Sequence, residues 1–379
     1  MAAETKIGLV LAGGGARAAY QVGVLLAVAR LLPDPHRNPF AIISGTSGGA
    51  INAAGLAAGA RDFRAATVDL ARSWRQLHIS DVYRSSPAYF LKTFLHFGVA
   101  LLSGGRLWKN PPSVLDNAPL RDFLERTVAL ADIDLALQAG ALDALALTAS
   151  CYSTGLSVSF FQGRPELDGW SRQLRQGVRD RLGIDHLMAS CAIPLLFPAV
   201  DVAQRFYCDG AVRQLSPLSP PLHLGADKLF IIGLGNQRTS KEERRFSDRY
   251  PTPAQMLGHL LNSVFLDSLA LDLERLERIN ETLAGSGRAR AEVGESHLRR
   301  VDVLTLNPSR SLESIAFRHL RLFPPVLRFI LHGAGGTNRR GSALASYLLF
   351  EPGYCRELIA LGFRDAMDQG ERIRAFLEL

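Results

Sequence analysis

The chain has 379 residues, of which 47% are hydrophobic and 21% charged, and its formal net charge is +7. This is the composition of a globular protein that can bury a large core, and it excludes a largely disordered chain. The basic surplus favours an anionic partner, either a membrane surface, an acidic substrate or nucleic acid, unless it serves solubility alone.

Cysteine spacing and hydropathy limit the class of protein further. The first residues lack the basic and apolar regions of a secretory signal, and no stretch reaches about 18 apolar residues. We therefore expect a cytoplasmic protein that does not span a membrane. The cysteines form no C-x-x-C pair, which argues against a zinc site or a disulfide framework and favours reduced thiols at Cys151, Cys191, Cys208 and Cys355.

The first 60 residues alternate between apolar runs and helical patterns. Short apolar runs at 6–11 and 40–44 predict buried strands, and glycines follow each of them. Apolar residues at helical spacing predict a helix over 18–32, and a run of small residues predicts another over 50–60. This order of strands, turns and helices predicts a parallel sheet covered by helices.

The α/β pattern continues to about residue 235. Residues 61–140 are predicted to be mainly helical, with a loop rich in glycine and proline near 103–119. The next segments are predicted to be one short helix, at 185–191, and four strands, at 143–150, 157–162, 205–208 and 228–234.

The pattern changes beyond about residue 240. Leucines along one face predict a long helix over 253–283, and a stretch rich in glycine and arginine predicts an exposed loop over 285–300. Residues 301–306 predict a late strand of the main sheet, and 312–379 are predicted to be helical.

The run Gly45-Thr46-Ser47-Gly48-Gly49 fits G-x-S-x-G and lies between a predicted strand and a predicted helix. A serine on such a sharp turn is exposed for attack, and the flanking glycines tolerate its backbone angles. The helix that follows presents free N–H groups to a developing negative charge. The pattern therefore predicts a nucleophile elbow with Ser47 as nucleophile.

A second glycine run, Gly13-Gly14-Gly15-Ala16-Arg17, follows the first predicted strand. Successive glycines let several N–H groups point into one space, and acyl transfer needs such donors at its oxyanion. Arg17 either adds a positive charge to this site or pairs with a carboxylate.

The same run also fits a dinucleotide-binding fingerprint, Gly13-x-Gly15-x-x-Ala18. That fingerprint expects an acidic residue about 20 positions later, at the end of the second strand. Here the second strand ends at Ser44, and Asp34 precedes that strand. Nucleotide binding is therefore the weaker hypothesis, and stabilisation by NAD or FAD would test it.

The third candidate is Asp209, which ends a short predicted strand and is followed by Gly210. A carboxylate at a strand end can reach a neighbouring strand end, where active sites of parallel sheets lie. A Ser–His–Asp triad would place its histidine downstream. His223 and His259 are the nearest downstream histidines, and neither follows a clear strand end.

Together these blocks resemble the bacterial patatin-like phospholipases over residues 6–235. A fourth block, the proline-punctuated segment from Met188 to Pro198, is also similar to that family. The resemblance implies a three-layer α/β/α sandwich with a mainly parallel central sheet. It makes 1–240 the catalytic domain and leaves 241–379 as a mostly helical extension packed on it.

The resemblance also implies a Ser–Asp dyad without histidine, in which Ser47 attacks a lipid ester and Asp209 is the general base. The N–H groups of Gly14, Gly15 and Gly48 are then expected to stabilise the oxyanion, in a loop supported by Arg17. No metal or cofactor is expected. A carboxylate with an ordinary pKa near 4 is a weak base, so the site must depend on orientation, concerted proton transfer and a strong oxyanion hole. Partial burial is a further way to raise the pKa of the aspartate.

Two positions depart from the family pattern: Ala18 replaces a frequent glycine, and Gln214 lies near where the family often has asparagine. A non-catalytic lipid-binding scaffold of the same fold is the alternative function, against which the intact dyad and glycine run argue. Nucleic acid is not expected as a partner.

Two amphipathic segments, 88–102 and 317–331, combine apolar residues with basic ones, and Arg106 and Lys109 follow the first of them. Such segments suit peripheral contact with an anionic membrane, and they equally suit ordinary packing on the sheet. The long helix 253–283 suits core packing or a homodimer contact.

Overall fold

The computed structural model describes residues 5–103, 113–235, 250–285, 290–293, 296–339 and 341–379. Its strands are β1 Ile7–Leu11, β2 Ile42–Thr46, β3 Ala144–Cys151, β4 Ser157–Gly163, β5 Trp170–Arg172, β6 Arg175–Arg179, β7 Val200–Val202, β8 Arg205–Asp209, β9 Lys228–Ile232, β10 Arg290–Val293, β11 Ser296–Arg299 and β12 Asp302–Leu306.

The first nine helices belong to the α/β part of the chain: α1 Ala19–Leu31, α2 Gly48–Ala58, α3 Phe63–Gln76, α4 Ile79–Val82, α5 Pro87–Leu102, α6 Ala118–Thr127, α7 Asp132–Gln138, α8 Ile184–Ser190 and α9 Ser219–His223. The others follow residue 250: α10 Pro253–Asn262, α11 Ser268–Gly285, α12 Leu312–His319, α13 Pro325–Gly333, α14 Ser342–Leu348, α15 Pro352–Asp368 and α16 Gly370–Leu377. A π-helical segment, Ser263–Asp267, joins α10 to α11.

One large sheet forms the centre of the molecule, with the strand order β12-β9-β1-β2-β3-β4-β6-β5. The five strands from β12 to β3 are parallel to one another, whereas β4 and β8 both pair antiparallel with β3. Helices cover both faces. The predicted class, a mainly parallel sheet in an α/β/α sandwich with a helical C-terminal region, is confirmed.

The strand register brings Ser47 and Asp209 to the same level of the sheet. Thr46, the last residue of β2, is paired with Thr148 of β3, and the next residue of β3, Ala149, is paired with Asp209 of β8. Strand β8 therefore takes over the position beside β3 where β2 ends. The residue after Thr46 is Ser47, so the two candidate side chains meet at one edge.

The strands are buried on both sides, as parallel strands between two helical layers must be. Successive residues of β1, such as Leu9 and Val10, belong to separate hydrophobic clusters on opposite faces. The larger cluster includes side chains of α1, α2, α3 and α15. The smaller one includes Leu269 and Leu276 of α11.

The residues beyond 300 are built into the same core. Strand β12 lies beside β9 in parallel register, from Asp302 against Lys228 to Leu306 against Ile232. Helix α15 packs closely on α1, where a Cβ added to Gly23 would collide with the carbonyl oxygen of Ile359. The chain thus uses its C-terminal third to complete both the sheet and one helical layer.

Some predicted elements were wrong. The predicted loop 285–300 contains an antiparallel hairpin, β10 with β11, over its described residues. The hairpin β5–β6 was not predicted, because arginines and other polar residues interrupt any apolar alternation there. Strand β7 was not predicted because its three residues are too few to show a pattern. Most of the predicted loop 103–119, and both Arg106 and Lys109, lie outside the described residues.

Within the described residues, one helical stretch, Pro253–Gly285, has the length and composition of a membrane span, and 22% of its most apolar window is buried. Helices of soluble proteins meet the same criteria of length and composition, so this is weak evidence of a span. The expectation that the chain does not span a membrane stays a prediction.

Candidate active site

Ser47 occupies a strained turn between β2 and α2. Its backbone angles are φ 55° and ψ −129°, which a residue with a side chain rarely adopts. Its N–H donates to Ser190 Oγ at 2.9 Å, and that hydroxyl donates to the Thr148 carbonyl at 2.7 Å. This pair of hydrogen bonds ties the turn to β3. Ser190, on α8, was not singled out from the sequence, although it lies within the Met188 to Pro198 block.

Asp209 is completely buried at the end of β8. Its amide donates to the Ala192 carbonyl at 2.8 Å, and its Oδ1 accepts a hydrogen bond from the Ala211 amide at 3.0 Å. The other oxygen, Oδ2, is buried and makes no hydrogen bond of standard geometry within the described residues. The Ser47 hydroxyl is the side-chain group that interacts with this carboxylate.

The environment of Asp209 changes its acidity. Burial raises the pKa of the Asp209 carboxyl from 3.8 to about 7, while hydrogen bonds with Ser47 and with the Ala211 amide lower it in part. Burial disfavours the charged form of a carboxyl group because water no longer solvates it. The group is therefore poised to exchange a proton near neutral pH.

The glycine run lies against the serine turn. A Cβ added to Gly13 would lie 3.3 Å from Ser47 Cβ, and one added to Gly48 would lie 2.6 Å from the Gly15 carbonyl oxygen. Gly48 begins α2, so its N–H has no carbonyl partner within the helix. Gly15 has φ +53°, and a Cβ there would collide with the Tyr347 carbonyl oxygen. The structure thus brings the predicted oxyanion residues of both loops together.

Arg17 and Ala16 end the glycine run, and both are buried. The guanidinium of Arg17 donates to Ser346 Oγ at 2.7 Å and to Glu313 Oε1 at 3.1 Å, and its carbon lies 3.8 Å from the centre of the Tyr347 ring. Of the two roles considered from the sequence, the structure shows the pairing with a carboxylate. That carboxylate belongs to α12, and the sequence offered no sign of it.

The remaining elbow and loop glycines are packed tightly. A Cβ added to Gly45 would collide with the Gly49 carbonyl, and one added to Gly49 would collide with the Leu11 carbonyl. A Cβ added to Gly210 would collide with the Thr148 carbonyl. Close backbone approach of this kind holds the strand ends together at the edge where Ser47 lies.

Gln214, noted above as a departure from the family pattern, joins the elbow to β3. Its Oε1 accepts a hydrogen bond from Thr46 Oγ1 at 2.7 Å, and its Nε2 donates to Thr148 Oγ1 at 3.2 Å. Thr46 immediately precedes the nucleophile, so this glutamine fixes the end of β2 from the side of the Asp209 loop.

The downstream histidines lie in other settings. His223 bonds to the Ser219 carbonyl at 2.8 Å and stacks on Trp170, with ring centres 4.8 Å apart. His259 is exposed on α10. The described residues around Ser47 thus present a serine–carboxylate pair.

A deep apolar pocket opens beside Ser47, with a volume of about 410 Å³. Pockets of roughly 300–1,000 Å³ are the usual size for small organic ligands. Ser47, Gly15 and Gly48 lie on its wall, and Asp62 and Asp69 also line it. Apolar side chains from α2, α3, α6 and neighbouring loops form much of the rest, including Ile51, Leu70, Trp74, Leu120, Phe123 and Phe197.

Phe265, in the π-helical segment, packs against the glycine run. Its Cδ1 would lie 2.8 Å from a Cβ on Gly13, and its ring packs on Tyr347 with centres 5.2 Å apart. Tyr347 itself lines the pocket and donates to Asn262 Oδ1 at 2.8 Å. Both aromatic residues come from beyond residue 250, and sequence periodicity gave no reason to place them here.

Comparison with known proteins identifies one family. The model of the family described as patatin-like phospholipase matches residues 9–222, which is more than half of the chain. No curated protein sequence matches the chain.

Several solved structures match the chain. VipD from Legionella pneumophila is 12% identical, with 94% of this chain and 67% of that chain covered and a TM-score of 0.36. Human GIVD cytosolic phospholipase A2 in complex with methyl gamma-linolenyl fluorophosphonate is 15% identical, with a TM-score of 0.45. In that comparison 99% of this chain is covered, and it spans 59% of the human chain.

Proposed function

The chain belongs to the patatin-like phospholipase family, and from this premise we propose that it cleaves carboxylic esters of phospholipids or related lipids through a Ser47 acyl-enzyme. The family supports a lipid acyl hydrolase in general. The observation that carries the specific proposal is the strained Ser47 beside the buried Asp209, at the wall of an apolar pocket.

In the first half-reaction, Ser47 Oγ attacks the ester carbonyl carbon while its proton passes to an Asp209 oxygen. The carbonyl oxygen becomes an oxyanion, and the amides of Gly14, Gly15 and Gly48 are the donors proposed to stabilise it. Collapse of the tetrahedral intermediate breaks the C–O bond of the ester. The departing alkoxide takes the proton from Asp209, leaving the acyl group on Ser47.

In the second half-reaction, water attacks the acyl-enzyme carbonyl and gives a proton to Asp209. The second tetrahedral intermediate expels Ser47 Oγ, which recovers that proton, and the fatty acid is released. A base with a pKa of about 7 accepts and returns a proton near neutral pH more readily than an ordinary carboxylate does. Asp209 thus serves both halves without a histidine.

We assign the acyl chain to the apolar pocket beside Ser47. The side chains of Ile51, Leu70 and Phe123 offer a continuous hydrocarbon surface there, and burying an acyl chain against it is favourable by the hydrophobic effect. Binding energy from the chain then fixes the ester carbonyl at the serine.

We place the enzyme in the cytoplasm, with peripheral contact to an anionic membrane. Helix α13 supports the membrane contact because it buries Leu327 and Leu331 yet leaves Phe329 78% exposed. Arg321 and Arg328 precede that phenylalanine in the sequence and suit an anionic lipid surface. A homodimer stays a prediction.

A fluorophosphonate probe tests the proposal, because it labels an activated serine. We expect labelling of the wild type, together with fatty-acid release from mixed phospholipid vesicles. Ser47→Ala and Asp209→Asn should lose both activities by at least about a hundredfold, as general-base loss usually does. The matched controls are Ser171→Ala and Asp201→Asn, at exposed positions, and both should behave as wild type.

Two outcomes would count against the proposal. Labelling of Ser47→Ala at the wild-type rate would move the nucleophile elsewhere. A folded wild type that neither labels nor releases fatty acid would instead favour the non-catalytic scaffold.

A further inference from the structure

A second cavity lies near the Asp209 loop, separate from the acyl pocket, and has a volume of about 210 Å³. Three arginines from three different segments contribute to its wall: Arg175 at the start of β6, Arg213 after Asp209, and Arg275 on α11. Ser157, Ser159, Ser216 and Ser219 lie on the same wall, and the hydroxyls of Ser159, Ser216 and Ser219 already interact with Thr148, Asp272 and His223. The guanidinium groups are therefore the donors that suit an anion with several acceptor oxygens.

The guanidinium groups of these arginines lack a direct ion-pair partner among the described residues. The Nε of Arg175 is buried and has no hydrogen-bond partner in the part of the chain that the structure describes. A buried N–H without an acceptor costs free energy, so an acceptor supplied by a ligand would be favourable there.

The carboxylate of Asp272 lies near this cluster. Asp272 on α11 interacts with Arg175 and Arg275, but its Oδ2 already accepts a hydrogen bond from the Leu218 amide at 3.0 Å. Three guanidinium groups against one carboxylate leave a net positive charge around the cavity.

The setting of the cavity connects it to the candidate catalytic site. Gln214 contributes to its wall and, on the other side, holds Thr46 next to the nucleophile. The rim carries two exposed leucines, Leu174 at 50% and Leu215 at 58% exposed. A basic cavity with an apolar rim fits an anionic group carried by an amphiphile, in which the hydrocarbon portion contacts the rim.

We propose that this cavity, formed by Arg175, Arg213 and Arg275, binds a phosphate group. The phosphate comes either from the headgroup of a lipid substrate or from free phosphate. If the phosphate belongs to a lipid headgroup, the cavity makes the enzyme selective for lipids that carry phosphate. Only this case rests on the proposed function.

Calorimetric titration of the full-length protein with inorganic phosphate at low ionic strength tests binding without any need for catalysis. We expect Arg175→Gln, Arg213→Gln and Arg275→Gln each to weaken binding about tenfold or more, as loss of a charge-assisted hydrogen bond does. Arg172→Gln is the matched control, because this exposed arginine lies on the same hairpin but outside the cavity wall. It should bind phosphate within about twofold of the wild type.

Kinetics distinguish the two sources. If the lipid headgroup occupies the cavity, each of the three variants should have a KM for a short-chain phosphatidylglycerol about tenfold above that of the wild type. Hydrolysis of a phosphate-free p-nitrophenyl ester should then stay unchanged. Unchanged KM in variants that have lost phosphate binding assigns the cavity to free phosphate.

Phosphate binding tests the cavity, and fluorophosphonate labelling tests the proposed function. Absent phosphate binding in the folded wild type, or equal binding by Arg213→Gln, overturns the inference. Arg213 is exposed, so its replacement should leave folding intact. Phosphate binding that persists in a chain without fluorophosphonate labelling leaves the inference standing and removes the proposed function.

Discussion

Asp209 lies where many serine hydrolases carry a histidine, and an aspartate of ordinary pKa near 4 would be a weak base for this chemistry. Full burial of its carboxyl group compensates, because it raises the pKa to about 7. The sequence placed both candidate residues, Ser47 and Asp209, at strand ends, and the family resemblance implied that they act as a pair. The sequence offered burial only as one way to raise that pKa, because the complete burial of Asp209 depends on how β8 packs against β3 and α8.

The raised pKa predicts a pH dependence of activity. The base must be deprotonated, so kcat/KM for a soluble ester should rise with pH through about 7 and then level off. We expect this single ionisation in the pH–rate profile of the wild type. A profile that is flat between pH 5 and 8 would contradict Asp209 as the base.

The same pKa predicts a pH dependence of stability. The folded value of about 7 lies above the unfolded value of about 3.8, so the folded state binds more protons between these values. Stability from this group is therefore present below pH 4 and is lost as the pH rises to about 7. The side chain of Asp209→Asn does not ionise, so this variant does not lose that stability. Its free energy of unfolding relative to the wild type should therefore increase by a few kcal/mol as the pH rises between these two pKa values, at about 1.4 kcal/mol per pKa unit.

Denaturant unfolding at pH 4, 5.5 and 7.5 checks this prediction. The difference between Asp209→Asn and the wild type is the informative quantity, since other groups titrate equally in both proteins. For Asp201→Asn, at an exposed position, the difference should stay flat. A flat difference for Asp209→Asn as well would show that the buried carboxyl is not destabilised by its charge.

At the scale of elements, local patterns predicted the parallel strands, including the edge strand β12, whereas the hairpin β5–β6 at the opposite edge was not predicted. Strands such as β1 and β9 are continuous apolar runs, which burial between two helical layers requires. Strand β6, with the sequence RQGVR, pairs its backbone with β4 although its side chains show no apolar alternation. Its formation depends on a partner strand, which periodicity cannot reveal.

The turn after β1 gives a test at this scale. Gly15→Ala would force an alanine into φ +53° and bring its Cβ against the Tyr347 carbonyl. Left-handed backbone alone costs about 1–2 kcal/mol. Gly140→Ala is the matched control: its φ is +68°, and its nearest neighbour is a flexible arginine end at 3.9 Å.

We expect Gly140→Ala to lose about 1 kcal/mol of stability with full activity. Gly15→Ala should lose more stability, and its fluorophosphonate labelling rate should fall at least tenfold because the oxyanion donors move. Equal stability and equal labelling in the two variants would mean that the Gly15 turn does not position the site.

At the scale of the whole molecule, the predicted boundary near residue 240 separates segments that share one core. Arg17 belongs to the glycine run, yet its partners Glu313 and Ser346 lie about 300 residues further along the chain. Phe265 likewise packs over Gly13 from the π-helical segment. No sequence motif marks these contacts, because they depend on how α12, α14 and the glycine run meet in space.

This arrangement predicts that Glu313 affects the catalytic loop although it lies in the C-terminal extension. Glu313→Ala leaves the guanidinium of Arg17, which is 1% exposed, without its carboxylate, and also removes an acceptor from Asn262. Glu313 is itself partly exposed, so we expect a loss of about 2–3 kcal/mol, somewhat below that for a fully buried pair. The glycine run should shift with Arg17, and Ser47 labelling should slow several-fold.

Glu281→Ala is the control, since this glutamate is exposed on α11. It should change neither the free energy of unfolding nor the labelling rate. If Glu313→Ala were destabilised while Ser47 labelled at the wild-type rate, the extension would serve stability alone. If both quantities fall together, the C-terminal third of the chain helps to position the oxyanion loop, because the residue that holds Arg17 in place is supplied from there.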